Sequence, residues 1–192
     1  MKSLILTIFL IIIFIAGCQT QTVNVNVQQE DNINIENEIK PANRVINMKL
    51  TSPAFENNKE MPSEYTCDGA NILPELNIDE VPENTKSLAL IMDDPDAPVG
   101  TWVHWVVWNI PPDTKTIAKG TEPQGTQGKT SFGKPGYGGP CPPFGTHRYF
   151  FKLYALDMTL DIKEDSDKKD LEAAMDGHII EKTELLGLYK RK

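Results

Sequence analysis

Residues 101–110 read Thr-Trp-Val-His-Trp-Val-Val-Trp-Asn-Ile, a run dominated by β-branched and aromatic side chains. Such side chains favour a pleated, half-buried strand. Two further runs indicate strands as well. Residues 87–92, Ser-Leu-Ala-Leu-Ile-Met, form a short apolar run typical of a buried strand, and residues 147–156 alternate large side chains. The sequence therefore predicts a domain that is mainly β.

Prolines and glycines separate these runs, as expected for connections between short strands. They cluster at residues 95–98, at residues 111–112 and in residues 120–145, a connection that holds eight of the 13 glycines. One stretch, residues 167–175, has helical spacing, with Leu171, Ala174 and Met175 on one face. The sequence predicts an antiparallel β-sandwich with one or two peripheral helices.

Charge restricts the kinds of partner that this chain can bind. The 192 residues carry 19 Lys and Arg against 27 Asp and Glu, a formal net charge of -8. An acidic chain with no extended basic cluster is a poor candidate for binding nucleic acid. The same charge argues against attraction to anionic lipid surfaces by broad electrostatics. Any anion must therefore be held locally, by donors that point at it.

The N-terminus has the pattern of a processed export signal. Lys2 precedes an apolar run from Leu4 to Ile15, which is too short to span a bilayer comfortably and fits a signal peptide. The run ends in Ala16-Gly17-Cys18, which resembles the motif before the lipid-modified cysteine of prokaryotic lipoproteins. We therefore expect a signal peptide over residues 1–17 and lipidation at Cys18. The alternatives are an ordinary secretory signal or an uncleaved anchor with an incidental cysteine.

The segment that follows is expected to connect a membrane to the domain. Residues 19–43 are rich in Gln, Asn and Glu and contain no aromatic side chain, so they cannot bury much apolar surface. We predict a lipid-anchored tether over residues 18–44 and a folded domain over residues 45–192. This organisation predicts a protein of the cell envelope, anchored by lipid to a membrane and facing its extracytoplasmic side.

Two segments at predicted strand ends concentrate polar side chains. Residues 93–98, Asp-Asp-Pro-Asp-Ala-Pro, place three carboxylates in a proline-stiffened loop, which is either a charged turn or a set of positioned acids. In a regular strand, Trp102, His104, Val106 and Trp108 share one face. A histidine in that position is either a satisfied core group or a functional one.

A third segment, residues 138–149, combines a loop with two donors on a strand. Glycines let backbone N–H groups approach a ligand, and prolines fix the loop. His147 and Tyr149 then point to the same face of the following strand. Donors in this arrangement suit a phosphate or a carboxylate, although the segment could also be a simple connection.

Taken together, these motifs resemble the phosphatidylethanolamine-binding protein family, in particular its bacterial and archaeal branch, often called Raf-kinase-inhibitor-like. The resemblance covers residues 46–190. It rests on motifs that occur in the same order in this sequence: Asp94-Pro-Asp-Ala-Pro98, His104-Trp105, Gly139-Pro-Cys-Pro-Pro143, His147-Arg148-Tyr149, Tyr65-Thr66-Cys67-Asp68-Gly69, Asn71-Ile-Leu-Pro74, Gly177-His178 and Leu185-Leu-Gly-Leu-Tyr189.

The resemblance implies a β-sandwich with a small pocket for a phosphate, a phospholipid headgroup or a carboxylate, with no catalysis and no cofactor. The pocket residues that it implies are Asp94, Asp96, Trp102, His104, Gly139, His147 and Tyr149. In this arrangement the histidines and the Tyr149 hydroxyl donate hydrogen bonds, Gly139 offers its backbone, and Trp102 forms a wall. One of the two aspartates would orient a histidine or meet an ammonium group.

Other functions compete with this hypothesis. The same fold could inhibit a protease or a kinase through surface loops, although the C-terminal helix of eukaryotic relatives is absent, so their kinase contacts do not transfer. A metalloenzyme lacks the usual ligand spacing, and a hydrolase using Cys141 and His147 lacks an evident orienting group. Cys67 and Cys141 could pair in an oxidising compartment or be separate buried thiols.

Overall fold

The computed structural model describes residues 47–192, so the predicted signal peptide, Cys18 and the predicted tether lie outside the described residues. The described chain contains nine strands, one α-helix and a short 3-10 helix over Ser63–Tyr65. The strands are β1 Lys49–Thr51, β2 Lys59–Glu60, β3 Leu76–Asp79, β4 Ser87–Asp94, β5 Trp102–Ile110, β6 Thr116–Ile117, β7 Thr126–Gln127, β8 His147–Leu156 and β9 Ile179–Tyr189. The α-helix, α1, spans Lys168–Met175.

The strands form two sheets, which confirms the predicted mainly β sandwich. A three-stranded sheet has the order β1-β3-β6, and a six-stranded sheet has the order β2-β9-β8-β4-β5-β7. All pairings between the named strands are antiparallel except that of β2 with β9. The three longest predicted runs became β4, β5 and β8, which are adjacent in the large sheet.

The centre of the large sheet is covered on both faces. Between the sheets, a core cluster joins Leu50 and Ile78 of the small sheet to Leu90, Trp105 and other residues of the large sheet. On the other face, Leu171 and Met175 of α1 pack with residues of β4 and β5. Every residue of β4 is consequently buried, which explains why its sequence is almost continuously apolar.

The helix begins where the sequence predicts. Asp167 is its N-cap, and its side chain accepts hydrogen bonds from the backbone N–H groups of Lys169 and Asp170. Asp170 completes a capping box by accepting from the Asp167 N–H. No helix in residues 47–192 is both long enough and apolar enough to cross a bilayer.

A β-bulge corrects the predicted alternation along β5. Met92 pairs with Trp105 and the next residue, Asp93, pairs with Val103, so His104 is an extra residue in the ladder. Trp105 and Val107 face the core between the sheets, while Val106 and Trp108 face the α1 side. The prediction that Trp102, His104, Val106 and Trp108 share one face is therefore wrong, because the bulge reverses the alternation at His104.

Candidate functional site

A cavity of about 330 Å³ lies where β4 ends and where β5 and β8 begin. Its polar lining consists of Asp94, His104 and His147, and most of the remaining lining is apolar. The complete lining is Asp94, Ala97, Pro98, Val99, Trp102, His104, Phe132, Cys141, Pro142, Pro143 and His147. Four of the seven predicted site residues therefore meet at one cavity.

His147 is held in the cavity wall by Asp94. The His147 Nδ1 atom lies 2.7 Å from Asp94 Oδ2, and both side chains are buried. The other carboxylate oxygen of Asp94, Oδ1, accepts the Asp96 backbone N–H at 2.8 Å. Because both oxygens are engaged, Asp94 fixes the His147 ring and leaves Nε2 as the ring nitrogen available to a ligand.

His104 is held in a similar way, but by a backbone carbonyl. Its Nδ1 atom lies 2.7 Å from the Gly138 oxygen, and a carbonyl oxygen can only accept a hydrogen bond. Nδ1 therefore carries the proton, and Nε2 of the neutral ring is an acceptor. Burial lowers the pKa of His104 below its ordinary value of 6.5, although nearby carbonyl oxygens and Asp94 oppose this shift.

These contacts decide how an anion could be held. Each histidine uses Nδ1 for a protein acceptor, so only Nε2 remains for a ligand. A neutral ring of this tautomer presents an acceptor at Nε2, whereas an imidazolium presents a donor. Binding an anion through these rings therefore requires at least one of them to take up a proton. Asp94 would balance the added charge on His147.

Asp96 lies beside the cavity and does not line it. Its carboxylate binds the Arg148 guanidinium through two contacts, Nε to Oδ2 at 2.9 Å and Nη2 to Oδ1 at 2.7 Å. The Arg148 backbone N–H donates to the same carboxylate. The side-chain hydrogen bond from Arg148 is the main reason why the pKa of Asp96 is lowered. Asp96 thus joins the β4 exit to the start of β8.

Tyr149 lies behind the two histidines, also outside the cavity lining. Its ring centroid is 5.2 Å from that of His104 and 6.5 Å from that of His147. The hydroxyl is buried and has no hydrogen-bond partner in the described part of the chain. Burial raises the pKa of this hydroxyl. Tyr149 therefore packs against both rings, with its hydroxyl near Asp94 and the Cys141 backbone, and the predicted direct hydrogen bond to a ligand stays a prediction.

Gly139 has a structural role that differs from the predicted one. Its N–H donates to Asn71 Oδ1 at 2.8 Å, so this group is not free to meet a ligand. A Cβ atom at this position would lie 2.3 Å from the Tyr65 carbonyl oxygen, which excludes any side chain. Gly139 permits the loop to pack closely against residues 65–71. The predicted contact between the Gly139 backbone and a ligand therefore cannot use this N–H.

A disulfide fixes the same loop. Cys67 is bonded to Cys141, with a Cα–Cα distance of 5.4 Å, which settles the choice between a pair and separate thiols. The Cys67 N–H also donates to the Pro140 oxygen, and the Tyr137 hydroxyl donates to the Tyr65 oxygen. Cys141 lines the cavity, so the disulfide forms part of its wall.

Sequence reasoning missed several lining residues. Phe132 lies in the long glycine-rich connection, and its ring centroid is 5.5 Å from those of Trp102 and His104. No periodic pattern surrounds Phe132, so nothing in the sequence singles it out. The lining residues Pro98, Pro142 and Pro143 lie within the quoted motifs, where the sequence indicates only stiffened loops, and Ala97 precedes Pro98. In residues 47–192, no three His, Cys, Asp or Glu side chains are grouped as metal ligands.

Comparison with known proteins identifies relatives over most of the chain. A family model described as phosphatidylethanolamine-binding protein matches residues 51–190. A UPF0098 protein of Methanothermobacter thermautotrophicus is 51% identical over 150 residues, covering 75% of this chain and 99% of that protein. A UPF0098 protein of Pyrococcus horikoshii is 49% identical over 157 residues, covering 77% of this chain and 78% of that protein.

Two solved structures share the fold. A homologue of phosphatidylethanolamine-binding protein from Chlamydia trachomatis has a TM-score of 0.75 at 43% identity, covering 77% of this chain and 99% of its own. The E. coli protein YbcL, described as a new member of the mammalian PEBP family, has a TM-score of 0.71 at 31% identity. That match covers 76% of this chain and 99% of the YbcL chain.

Proposed function

This chain belongs to the phosphatidylethanolamine-binding protein family, and we propose that it is a non-enzymatic binding protein whose cavity holds a small anionic group. The group would be a phosphate or a carboxylate, either free or as part of a phospholipid headgroup. One observation carries the proposal: two buried histidines, each held through Nδ1, line the same cavity. We propose Asp94, Trp102, His104 and His147 as the residues at the ligand.

The charge of the protein makes these local contacts necessary. A formal net charge of -8 gives an unfavourable background field for any anion. Short-range hydrogen bonds from an imidazolium can outweigh that field, because a hydrogen bond to a charged group contributes about 1.5–3 kcal/mol. Asp94 lies behind His147 and would balance its positive charge. Asp96, Gly139 and Tyr149 support this arrangement without contacting the ligand directly.

The state of Cys141 favours a binding role over a cysteine hydrolase. A cysteine must be a free thiolate to act as a nucleophile. Cys141 is instead bonded to Cys67. His147, the base that such a hydrolase would use, is paired with Asp94 on β4. Inhibition of a protease or a kinase through surface loops remains the alternative hypothesis for the same fold.

We also propose that a lipid at Cys18 anchors the protein to a membrane and that the domain faces the extracytoplasmic side. The support is the apolar run from Leu4 to Ile15 followed by Ala16-Gly17-Cys18. Expression of the wild type and Cys18→Ser in a bacterial host, followed by fractionation and mass spectrometry, tests this assignment. Wild type should start at an acylated Cys18, and the variant should be soluble or unprocessed. Unchanged membrane attachment of the variant, with clean cleavage at another position, would reject the lipid anchor.

Calorimetric titration tests the anion site directly. The full chain carrying Cys18→Ser, which removes the predicted lipid, is titrated with phosphorylethanolamine and with acetate. Replacement His147→Gln removes the imidazolium, and affinity should fall by about one to two decades, at tenfold per 1.4 kcal/mol.

The chain supplies a matched control for this variant. His178 Nδ1 lies 2.9 Å from Asp157 Oδ1, the same type of pair at the opposite end of β8 and exposed to solvent. Replacement His178→Gln should leave anion affinity unchanged. Equal affinity of wild type and His147→Gln would place the ligand elsewhere. An absence of binding by the wild type would favour the inhibitor hypothesis.

A further inference from the structure

A second cavity lies on the α1 side of the large sheet. It is a groove of about 310 Å³, lined by Val103 of β5, by residues 129–131 and by side chains at the start of α1. Three of the lining residues are lysines, Lys129, Lys168 and Lys169, and we call this cavity the lysine groove. It shares no lining residue with the cavity of the two histidines, so it is a separate place at which a ligand could bind.

Hydrogen bonds hold one wall of the lysine groove in place. The Ser131 N–H donates to the Val103 oxygen, and the Val103 N–H donates to Ser131 Oγ, which fixes the wall to β5. The Lys129 N–H donates to the Ser166 oxygen at 2.9 Å, which joins the wall to the segment before α1. A preformed site binds a ligand without the cost of ordering its loops. The Ser131 hydroxyl accepts one bond here and keeps its own proton for a ligand.

The groove contains more positive charge than the buried carboxylate beside it can balance. Asp93 is 1% exposed, and its carboxylate contacts two ammonium groups, those of Lys152 on β8 and Lys168 on α1. A single carboxylate balances only one of them, so these three side chains carry one net positive charge. An ammonium group has three hydrogen atoms to donate. Lys168 therefore keeps donors for a ligand, in a position that its contact with Asp93 fixes.

The other two lysines of the groove are exposed, and no carboxylate in residues 47–192 forms an ion pair with either of them. Two acidic side chains in the lining oppose the lysines. Glu172 Oε1 lies 3.6 Å from Lys168 Nζ and is half exposed, while Asp167 accepts backbone N–H groups at the start of α1. Because those N–H groups are already used, an anion in the groove would meet the lysines and not the helix end.

Charge and size together indicate the class of ligand. The whole chain has a formal net charge of -8, so this group of lysines is a local exception, and a local positive potential attracts anions. Lysine binds phosphate groups as a compact point charge. A water molecule takes about 30 Å³ in the liquid, so a single phosphate or sulfate ion fills only a small part of a groove of about 310 Å³. Several linked anionic groups are needed to reach all three ammonium groups.

We propose that the lysine groove is a second binding site, which takes a polyanion of linked phosphate groups through Lys129, Lys168 and Lys169. The Ser131 hydroxyl would donate to the same ligand, and the Glu172 carboxylate would weaken its binding. This site goes beyond the proposed function, because it uses neither histidine of the cavity. Its affinity depends on the number of phosphate groups that are linked together.

Calorimetric titration with inorganic tripolyphosphate tests this site without the cavity. The parent is the full chain carrying Cys18→Ser and His147→Gln, at about pH 8, low ionic strength and without divalent cations, where lysine stays charged and histidine is neutral. The parent should bind a single equivalent, more tightly than it binds orthophosphate. Adding Lys129→Gln and Lys169→Gln should lower the affinity about tenfold or more, because two ammonium donors are lost. Adding Glu172→Gln should instead raise the affinity, because a competing carboxylate is lost.

A charge-matched control separates the groove from general electrostatics. Lys86 and Lys115 are exposed and lie outside the groove, so adding Lys86→Gln and Lys115→Gln removes the same charge and should keep the affinity of the parent. The contrast between the two double variants should be the same with His147 intact. An equal loss in both would overturn the site, as would an absence of binding by the parent or an affinity no higher than that for orthophosphate. None of these outcomes affects the histidine cavity, whose test compares His147→Gln with the wild type.

Discussion

The two histidines of the cavity differ in how their charge would be balanced. His147 faces a carboxylate, Asp94, whereas His104 faces a carbonyl, that of Gly138. A carboxylate balances an imidazolium fully, but a carbonyl offers only a partial negative charge. Both residues are histidines, so the difference comes from the groups that accept their Nδ1 hydrogen bonds. The sequence predicted both histidines but could not predict the Gly138 contact, which depends on the folded loop.

The lowered pKa of His104 predicts a pH dependence of stability. In the native state burial favours the neutral ring, while in the unfolded chain the ring has its ordinary pKa of 6.5. The unfolded state therefore binds more protons near and below that pH. The stability from neutral His104 is present above about pH 6.5 and is lost as pH falls below it.

Urea unfolding of the wild type and His104→Gln, without added anions that bind the site, measures this effect. As pH falls from 7.5 to 5.5, the free energy of unfolding of the wild type should decrease relative to that of the variant. For one titrating proton, the free energy of unfolding can change by at most about 1.4 kcal/mol per pH unit. A difference independent of pH would show that His104 titrates alike in both states.

The Tyr149 hydroxyl gives a second prediction at this scale. It is buried, and no described group meets it with good hydrogen-bond geometry, although the Asp94 carboxylate and the Cys141 backbone lie near enough to affect its pKa. Deleting it should therefore remove an unfavourable desolvation and preserve the ring. Tyr149→Phe is expected to keep or raise the free energy of unfolding, by at most about 1 kcal/mol. Its anion affinity should stay within a few-fold of the wild type. A destabilised variant would mean that an ordered water bonds the hydroxyl.

Among the elements, β5 shows where sequence patterns reach their limit. Its existence and bounds were predicted well, because β-branched and aromatic residues fill it. The sequence did not predict which side chains lie on each face of β5, because the bulge at His104 is defined by pairing with β4. A bulge inserts one residue into one strand without a local pattern that marks it. Residues 126–127 likewise form β7 only by pairing with β5, inside what the sequence presents as a long loop.

The disulfide joins the loop of Cys141, which lines the cavity, to the segment around Cys67, and its removal is the test at this scale. It closes a sequence separation of 74 residues, which the chain-entropy model converts to about 4 kcal/mol of stabilisation. The double variant Cys67→Ser, Cys141→Ser should lose a large part of that free energy in urea unfolding. Wild type under reducing conditions should match the variant. Equal stability of the oxidised wild type and the double variant would contradict a closed disulfide.

At the scale of the whole molecule, the sequence predicts one folded domain over residues 45–192. The structure describes residues 47–192, which form two sheets and a helix. The sandwich followed from strand runs of high apolar content, which determine burial whatever the details of pairing. The cavity was predicted only in part, because its apolar wall comes from loops whose side chains follow no period. Residues such as Phe132 become neighbours of His104 only in the folded chain.

The predicted boundary yields a test of independent folding. Met48 and Leu50, at the start of the described chain, are buried in the core, whereas residues 19–43 contain no aromatic side chain. A chain starting at Arg44 should unfold cooperatively, with a free energy within about 1 kcal/mol of that of the chain starting at Cys18. Urea unfolding of both compares them. A loss of several kcal/mol would show that the preceding segment is part of the fold.

The most direct test of the central claim, that an anion is held by protonated histidine at this cavity, is the affinity for sulfate as a function of pH. Sulfate keeps its charge between pH 5.5 and 8, so any change reports on the protein. We predict that wild type binds more weakly as pH rises from 5.5 to 8, by at most about one decade per pH unit for one proton taken up. His147→Gln should bind weakly throughout, while His178→Gln should follow the wild type. A pH-independent affinity that is equal in all three proteins would contradict the account.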